Sequence, residues 1–273
     1  MKNVMSIALA LVLAACSTGP DYVRPVTTAA ATGPFVAAKT PAVSLAPVPD
    51  DWWRLYNDPT LDGLIADALA HNTDIRAAVA RLARARASLR EVKVDRLPQG
   101  GVSASATRGR DVGETDAATN FGAGLEVAYE VDLFGRVQRG VEAARGDVGA
   151  AEADADAVRI AIVADTARAY ADAASAAERL EVAEHIVELL DESLRITEKQ
   201  VEIGQTTRLD TARIAALRNQ RQAEIPAIAT ERDSALFRLA TLTGRAPSEL
   251  PAVAGARKSS LDLSQPVPVG DGA

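Results

Sequence analysis

Residues 121–134 have the sequence FGAGLEVAYEVDLF. Apolar side chains stand at every second position, and glycine, alanine and acidic side chains fill most of the positions between them. Because successive side chains of a β-strand point to opposite faces, this alternation predicts one long strand with an apolar and an acidic face. The apolar face carries Phe121, Leu125, Val127, Tyr129 and Val131, and the acidic face carries Glu126, Glu130 and Asp132.

A second strand is predicted just upstream, in the Val/Ser/Thr-rich residues 100–110, and the polar residues 111–119 suit a turn. Residues 99–134 therefore form a predicted hairpin that is long enough to cross a bilayer, which takes about 9–11 tilted residues. A lone hairpin leaves two open edges that lipid does not tolerate, so we expect strands of other chains to complete a barrel. The alternative is a hairpin packed on a soluble core, but the chain offers few other apolar strand segments for one.

Most of the remaining chain has helical character. Residues 136–203 contain no proline and carry apolar or small residues at heptad spacing, which indicates coiled-coil packing: Ala173, Leu180, Val187, Leu194 and Val201, with Ala176, Ala183, Leu190 and Thr197. Gly204 ends this helix, and a return helix follows over residues 208–243. We therefore predict a helical segment at 50–98, with Thr60 and Thr73 as candidate N-caps, and a long helical hairpin at 135–244.

The N-terminus has the features of a bacterial lipoprotein signal. Lys2 precedes a short apolar run, and the sequence Leu-Ala-Ala ends at Cys16, the single cysteine of the chain. We predict a signal peptide over residues 1–15 and lipidation of Cys16. No aspartate follows the cysteine, and the resemblance to known bacterial lipoproteins then implies sorting to the outer membrane. Residues 16–49 then form a Pro/Ala-rich extended tether, and residues 245–273 form a loose C-terminal tail.

Composition narrows the range of functions. The net charge of −7 disfavours nucleic acid as a partner. No catalytic constellation, cofactor motif or metal-ligand spacing is present, and His71 and His185 lie far apart in sequence. The acidic strand face is interpreted as a wall that lines an aqueous pore rather than as an acid/base pair or a metal site. Five arginines make one predicted helix basic, which is interpreted as a solvated face: Arg76, Arg81, Arg84, Arg86 and Arg90.

Several short segments, in this order and spacing, resemble one known family. After Cys16 come GPDYVRP (19–25) and the segment DWWRLYNDPTLDGLIADALAHNTDIRAAVARLARARA (51–87), and further on YEVDLFGRV (129–137), IGQTTRLD (203–210) and LATLTGRAP (239–247). The chain resembles the outer-membrane factor family of TolC-like efflux channels, especially its NodT-type lipoproteins. The resemblance covers nearly the whole mature chain.

The resemblance implies a mainly α fold with a β-hairpin. In such channels three protomers share a transmembrane β-barrel and a periplasmic α-helical barrel, dock a periplasmic adaptor and through it an inner-membrane pump, and have no enzymatic activity. The residues that match the family's adaptor-contacting tip are Gly204, Thr206, Thr207 and Leu209. Those that match the crossing from strand to helix are Phe134, Gly135 and Arg136.

The chain departs from the family pattern in one respect. Family members contain two tandem repeats, each with a strand hairpin and a helical hairpin, whereas this chain holds the first repeat. We therefore expect either a truncated product, a fragment, or a half-length form that assembles with more copies. The competing functional hypothesis is a structural or adaptor lipoprotein of the periplasm, which would have no need for the alternation in residues 121–134.

Overall fold

The computed structural model describes residues 20–23, 25–26, 43–109, 118–250 and 267–268. The predicted signal peptide, Cys16 and the hairpin tip at 110–117 lie outside the described residues. The described helices are α1 (Pro59–His71), α2 (Thr73–Val94), α3 (Arg136–Glu202) and α4 (Arg208–Thr243). The strands are β1 (Val43–Ser44), β2 (Gln99–Gly109), β3 (Ala118–Ala128) and β4 (Val267–Pro268), and short 3-10 turns cover Trp52–Tyr56 and Pro247–Glu249. The mainly α fold with one antiparallel hairpin is confirmed.

The chain divides into two units, one drawn from residues 1–24 and 77–156 and the other from residues 25–76 and 157–273. The first unit contains the β2–β3 hairpin and the beginning of α3. Here α3 buries Val137, Val141 and Ala144. A Cβ added to Gly140 would meet a methyl group of Val92 at 3.6 Å, so the end of α2 packs closely on the start of α3. The exposed ion pair between Arg86 and Glu152, at 2.7 Å, joins the same two helices.

The second unit holds the main hydrophobic core. Helix α1 buries Leu61, Leu64, Ile65 and Ala68, whose spacing places them on one helical face. They pack with Tyr170 and other residues of α3 and with a stripe of α4 that includes Leu236 and Leu239. The other members of this core are Ile162, Val163, Ala169, Ala173, Ala235, Ala240, Leu242 and Leu250. The coiled-coil interpretation of α3 is consistent with the structure, because all nine predicted seam residues are buried or half-buried.

Polar side chains fix the helix ends of this unit. The Asp58 carboxylate accepts hydrogen bonds from the backbone N–H groups of Thr60 (2.8 Å) and Leu61 (3.3 Å) and from the Tyr170 hydroxyl (2.7 Å). The Asn72 side chain accepts from the N–H groups at the start of α2 and donates to the Leu242 carbonyl at 3.0 Å. The predicted caps at Thr60 and Thr73 are therefore wrong. Each is displaced by the residue one or two positions earlier, whose side-chain oxygen reaches the free N–H groups of the first turn.

The C-terminal residues correct a second expectation. Residues 245–273 were expected to be loose, yet Leu250 is fully buried in the core and β4 pairs in parallel with β1. Likewise, the 16–49 tether contains the strand Val43–Ser44. Arg245 also donates from Nε to Asp67 at 2.8 Å, which ties the residue after α4 to α1. Such short segments carry no periodic pattern from which their structure could be predicted. They become ordered because a hydrophobic core is present for Leu250 to pack against and because β1 offers an edge with which β4 can pair. Among the described residues, no helix has both the length and the apolar character needed to cross a membrane.

Candidate functional site: an amphipathic hairpin and a helical tip

The hairpin places its apolar residues on one face. In the antiparallel register, Phe121 lies opposite Ala106, Leu125 opposite Val102, and Val127 opposite Gly100. Directly opposed residues share a face of the sheet, so the apolar side chains of both strands form one continuous surface. Each large side chain on it is exposed, with Val102 at 86%, Phe121 at 81% and Leu125 at 75% of their full area. Within the described part of the chain, this surface has no core to cover it.

The opposite face is polar and has little side-chain bulk. Glu126 lies opposite Gly101 and is exposed. A Cβ built on Gly122 or Gly124 would stand 2.9 Å from the hydroxyl oxygen of Ser105 or Ser103, so the serine side chains lie over the glycine backbone. The predicted acidic wall thus contains one carboxylate on the strand itself, bordered by serine hydroxyls.

The strand is shorter than predicted, and four assigned residues lie beyond it. Strand β3 ends at Ala128, so Tyr129 and Val131 are not on a lipid-facing strand, and Glu130 and Asp132 are not on its pore-facing side. The physical reason is that the partner strand begins only at Gln99, directly after Pro98, which has no N–H to donate. A further strand residue would have no backbone partner. The chain instead folds back, and the N–H of Leu133 donates to the carbonyl of Val131 at 2.9 Å.

The two displaced carboxylates hold the start of α3. Arg136 donates to both carboxylate oxygens of Glu130, and these hydrogen bonds lower the pKa of that carboxyl. Asp132 accepts from the backbone N–H of Gln138 at 2.8 Å, and this bond lowers the pKa of Asp132. Both groups are therefore ionised at neutral pH, beside the positive end of the helix dipole. Phe134 and Gly135 precede the first helical residue, Arg136, and Gly135 adopts a left-handed φ of 77°.

The second predicted site is the turn between α3 and α4. Gly204 has a φ of 76° and its N–H donates to the Val201 carbonyl at 3.0 Å, which ends α3. The Asp210 carboxylate accepts from the hydroxyls of Thr206 (2.9 Å) and Thr207 (2.7 Å) and from the Thr207 N–H (3.3 Å). These bonds lower the pKa of Asp210, with that from the Thr207 hydroxyl the strongest cause. Ile203 and Leu209, which flank the turn, are exposed.

Gly204→Ala is expected to destabilise the turn by about 1–2 kcal/mol, because an L-residue pays that penalty in the left-handed region. Open space surrounds the position, so the cost comes from the backbone alone. Gly149→Ala is the matched control: it lies inside α3, also in open space, and should stabilise the helix by about 0.5–1 kcal/mol. Amide hydrogen exchange at the last turn of α3 measures the first change, and exchange in the turns around residue 149 measures the second. Faster exchange in both variants, or in neither, would contradict the assigned backbone geometry.

The remaining candidates do not come together into a site. His71 and His185 are exposed and have separate partners, the Asp67 carbonyl and the Glu188 carboxylate. All five arginines of the basic helix are exposed, as the solvated-face interpretation requires. Among the described residues, no three acidic, histidine or cysteine side chains are grouped closely enough to hold a metal ion.

Sequence reasoning missed two sets of residues at these sites. Strand β2 contributes Val102 to the apolar face and Ser103 and Ser105 to the polar face, but its many small side chains hide the alternation. Asp210 was missed at the tip, although an acid three residues after Thr207 is the spacing of a helix capping box.

The family model described as outer membrane efflux protein matches residues 64–245. The chain belongs to the outer membrane efflux protein family. The relatives of this family include the probable efflux pump outer membrane protein TtgC of Pseudomonas putida, 32% identical over 221 residues, which cover 77% of this chain and 46% of TtgC. The probable outer membrane lipoprotein SilC of Salmonella typhimurium is 33% identical over 210 residues, which cover 75% of this chain and 45% of SilC.

Solved structures of the family agree with the fold. The outer-membrane channel OprN superimposes with a TM-score of 0.82 at 32% identity, over 94% of this chain and 58% of that one. The CusC channel superimposes with a TM-score of 0.70 at 27% identity, over 85% of this chain and 52% of that one. The chain thus spans about half the length of the curated outer membrane efflux proteins that it matches.

Proposed function

We propose that this chain is an outer-membrane subunit of a tripartite efflux system and forms part of a passive export duct for drugs or other solutes. The observation that carries the proposal is the hairpin, with one continuous exposed apolar face and an opposite face of Glu126, serines and glycines. Lipid on one side and water on the other account for both faces. A periplasmic spacer lipoprotein would account for neither.

A homo-oligomer, trimeric as the family resemblance implies, is supported by a second apolar stripe on α3. Val182, Leu189, Ile196 and Ile203 recur at intervals of seven residues and are all exposed. At 100° per residue, this stripe lies about 160° around α3 from Leu180 and about 100° from Ala183, so it points away from the seam. The seam is covered within the chain, whereas a heptad stripe on the other side is suited to a helix of a neighbouring protomer. The shared barrel would likewise take its further strands from other copies or from a second repeat.

The tip between α3 and α4 is proposed to contact a periplasmic adaptor, and through it an inner-membrane pump. Gly204, Thr206, Thr207 and Leu209 are the assigned contacts. The support is that the Thr206, Thr207 and Asp210 hydrogen bonds fix the turn, while Leu209 is 58% exposed beside it. A fixed turn with an exposed apolar residue loses little conformational entropy on binding. At the other end of the chain, lipidation of Cys16 is proposed to anchor the subunit to the membrane.

Conductance across a planar bilayer tests the channel function. The full chain, extracted from membranes as an oligomer, is expected to give steps of ionic current, and Glu126→Gln is expected to lower the cation-to-anion permeability ratio without changing assembly. The reason is that the Glu126 carboxylates form a ring of negative charge in the proposed pore. The reversal potential in a KCl gradient measures the ratio. Stable membrane oligomers without any current would instead favour the structural lipoprotein.

A further inference from the structure

An ion pair joins the N-terminal segment to the start of α3. Arg139 donates from Nη1 to Asp21 Oδ1 at 2.7 Å, across 118 positions of sequence, and the same nitrogen donates to Glu142 at 2.7 Å. The Arg139 side chain is 25% exposed and the Asp21 side chain 83% exposed. Both residues belong to the first unit. The Arg139 side chain is mostly buried against that unit, whereas Asp21, in the N-terminal segment, is mostly exposed.

The residues around this pair are exposed and apolar. Tyr22 and Val23 follow Asp21 directly, and Leu133 and Phe134 precede Arg139 by no more than six positions. All four are exposed, by 65% to 79% of their full area. Tyr129 lies between them and β3 and is also exposed. The charged groups of the same region, Glu130, Asp132 and Arg136, are paired with one another or with backbone groups.

Exposed aromatic and apolar side chains beside charged groups are typical of a protein surface at a lipid–water interface. Tyrosine and other aromatic side chains concentrate at the level of the phospholipid headgroups, where an apolar ring and a polar group are both solvated. Transmembrane strands carry such aromatic residues just beyond their apolar band. The exposed surface is also continuous along the chain with the apolar hairpin face, since Ala128 is followed directly by Tyr129. Phospholipid is therefore a better occupant than a protein surface.

We propose that the Asp21–Arg139 pair is a latch that holds the N-terminal segment at the base of the hairpin, with Tyr22 and Val23 in the headgroup region of the bilayer. This inference rests on the proposed function. Asp21 is five positions after Cys16, and that length of chain reaches at most about 18 Å. Acyl chains on Cys16 therefore enter the leaflet beside the hairpin of their own protomer, rather than at a distance set by a free tether.

A fluorophore placed at residue 23 tests the latch. In the full-length, lipidated Val23→Cys protein, a thiol-reactive fluorophore is quenched by a shallow doxyl lipid in phosphatidylethanolamine/phosphatidylglycerol vesicles. Asp21→Asn should weaken docking of the segment by about two- to five-fold, the range of an exposed ion pair, and should reduce the quenching accordingly. Asp21→Glu should preserve the quenching. Because Asp21 is well exposed, neither change affects folding.

A second label separates this inference from the function on which it rests. A fluorophore at Leu125→Cys on the apolar hairpin face should be quenched by a deep doxyl lipid, and one at Ile203→Cys should not be quenched. Two results overturn the latch alone. In the first, the label at 125 is quenched and the label at 23 is not; in the second, both are quenched and Asp21→Asn leaves the quenching at 23 unchanged. Absence of quenching at 125 overturns the membrane hairpin and the latch together.

Discussion

Leu125→Arg is expected to reduce membrane assembly by about 30- to 900-fold, which corresponds to the 2–4 kcal/mol that an arginine costs near the bilayer midplane. Leu125 lies two residues from the centre of β3, on the apolar face, opposite Val102. In the proposed membrane hairpin, the guanidinium would replace an apolar side chain that faces lipid and would find no partner there. Val127→Arg lies one residue from the end of the strand, where the same charge reaches the headgroups, and should cost about 0–1 kcal/mol.

Glu126→Arg is the matched control for this experiment. It introduces the same residue one position along the strand, but on the polar face, where water solvates the charge. Assembly is measured as the fraction of chain in urea-resistant membrane oligomers. We expect the order Leu125→Arg far below Val127→Arg, with Glu126→Arg close to the unmodified chain. If arginine at positions 125 and 126 were tolerated equally, the two faces would share one environment and the hairpin would not cross a membrane.

Asp58→Ala is expected to destabilise the second unit by about 2–4 kcal/mol. The change removes the N-cap of α1, which costs about 0.5–2 kcal/mol. It also leaves the Tyr170 hydroxyl buried without its acceptor, at a cost of about 1–3 kcal/mol. Burial, followed by the bond to Asp58, raises the pKa of Tyr170, so this hydroxyl is protonated at any physiological pH and remains a donor. The free energy of unfolding from urea titration measures the effect.

Asp58→Asn serves as the control because the amide oxygen can still cap α1 while the Tyr170 hydroxyl turns to accept from the amide nitrogen. Its expected cost is below about 1 kcal/mol, the net value of one hydrogen bond. If Asp58→Asn were as damaging as Asp58→Ala, charge rather than hydrogen bonding would stabilise this buried group. If both were neutral, Asp58 would not connect α1 to α3.

In the hairpin, the alternation of side chains predicted the two faces of β3 correctly but not the residue at which the strand ends. The alternation of Phe121, Leu125 and Val127 identified both faces, because the period of a strand is set by the backbone and needs no partner. The same alternation continued through Tyr129 and Asp132, where the structure has no strand. A strand ends where its partner ends, and β2 begins only after Pro98, a limit that residues 121–134 do not contain.

The helix caps and the Asp21–Arg139 pair also depend on contacts between residues that are far apart in the sequence. Thr60 and Thr73 have side chains that could cap a helix, but Asp58 and Asn72 are the caps. Asp58 also accepts a hydrogen bond from Tyr170, and Asn72 also donates one to the Leu242 carbonyl. The pairing of Asp21 with Arg139 lies even further from any local signal. Pairs of this kind depend on which elements the core brings together, over separations of more than a hundred residues.

Local patterns were enough to predict the helical hairpin, its glycine turn and the two chemically distinct faces of the strand pair, since periodicity and left-handed turn residues are local properties of the chain. They could not predict where β3 stops, which polar residues cap the helices or that Leu250 enters the core. Those outcomes depend on hydrogen-bond partners and packing surfaces that exist only once distant segments have met.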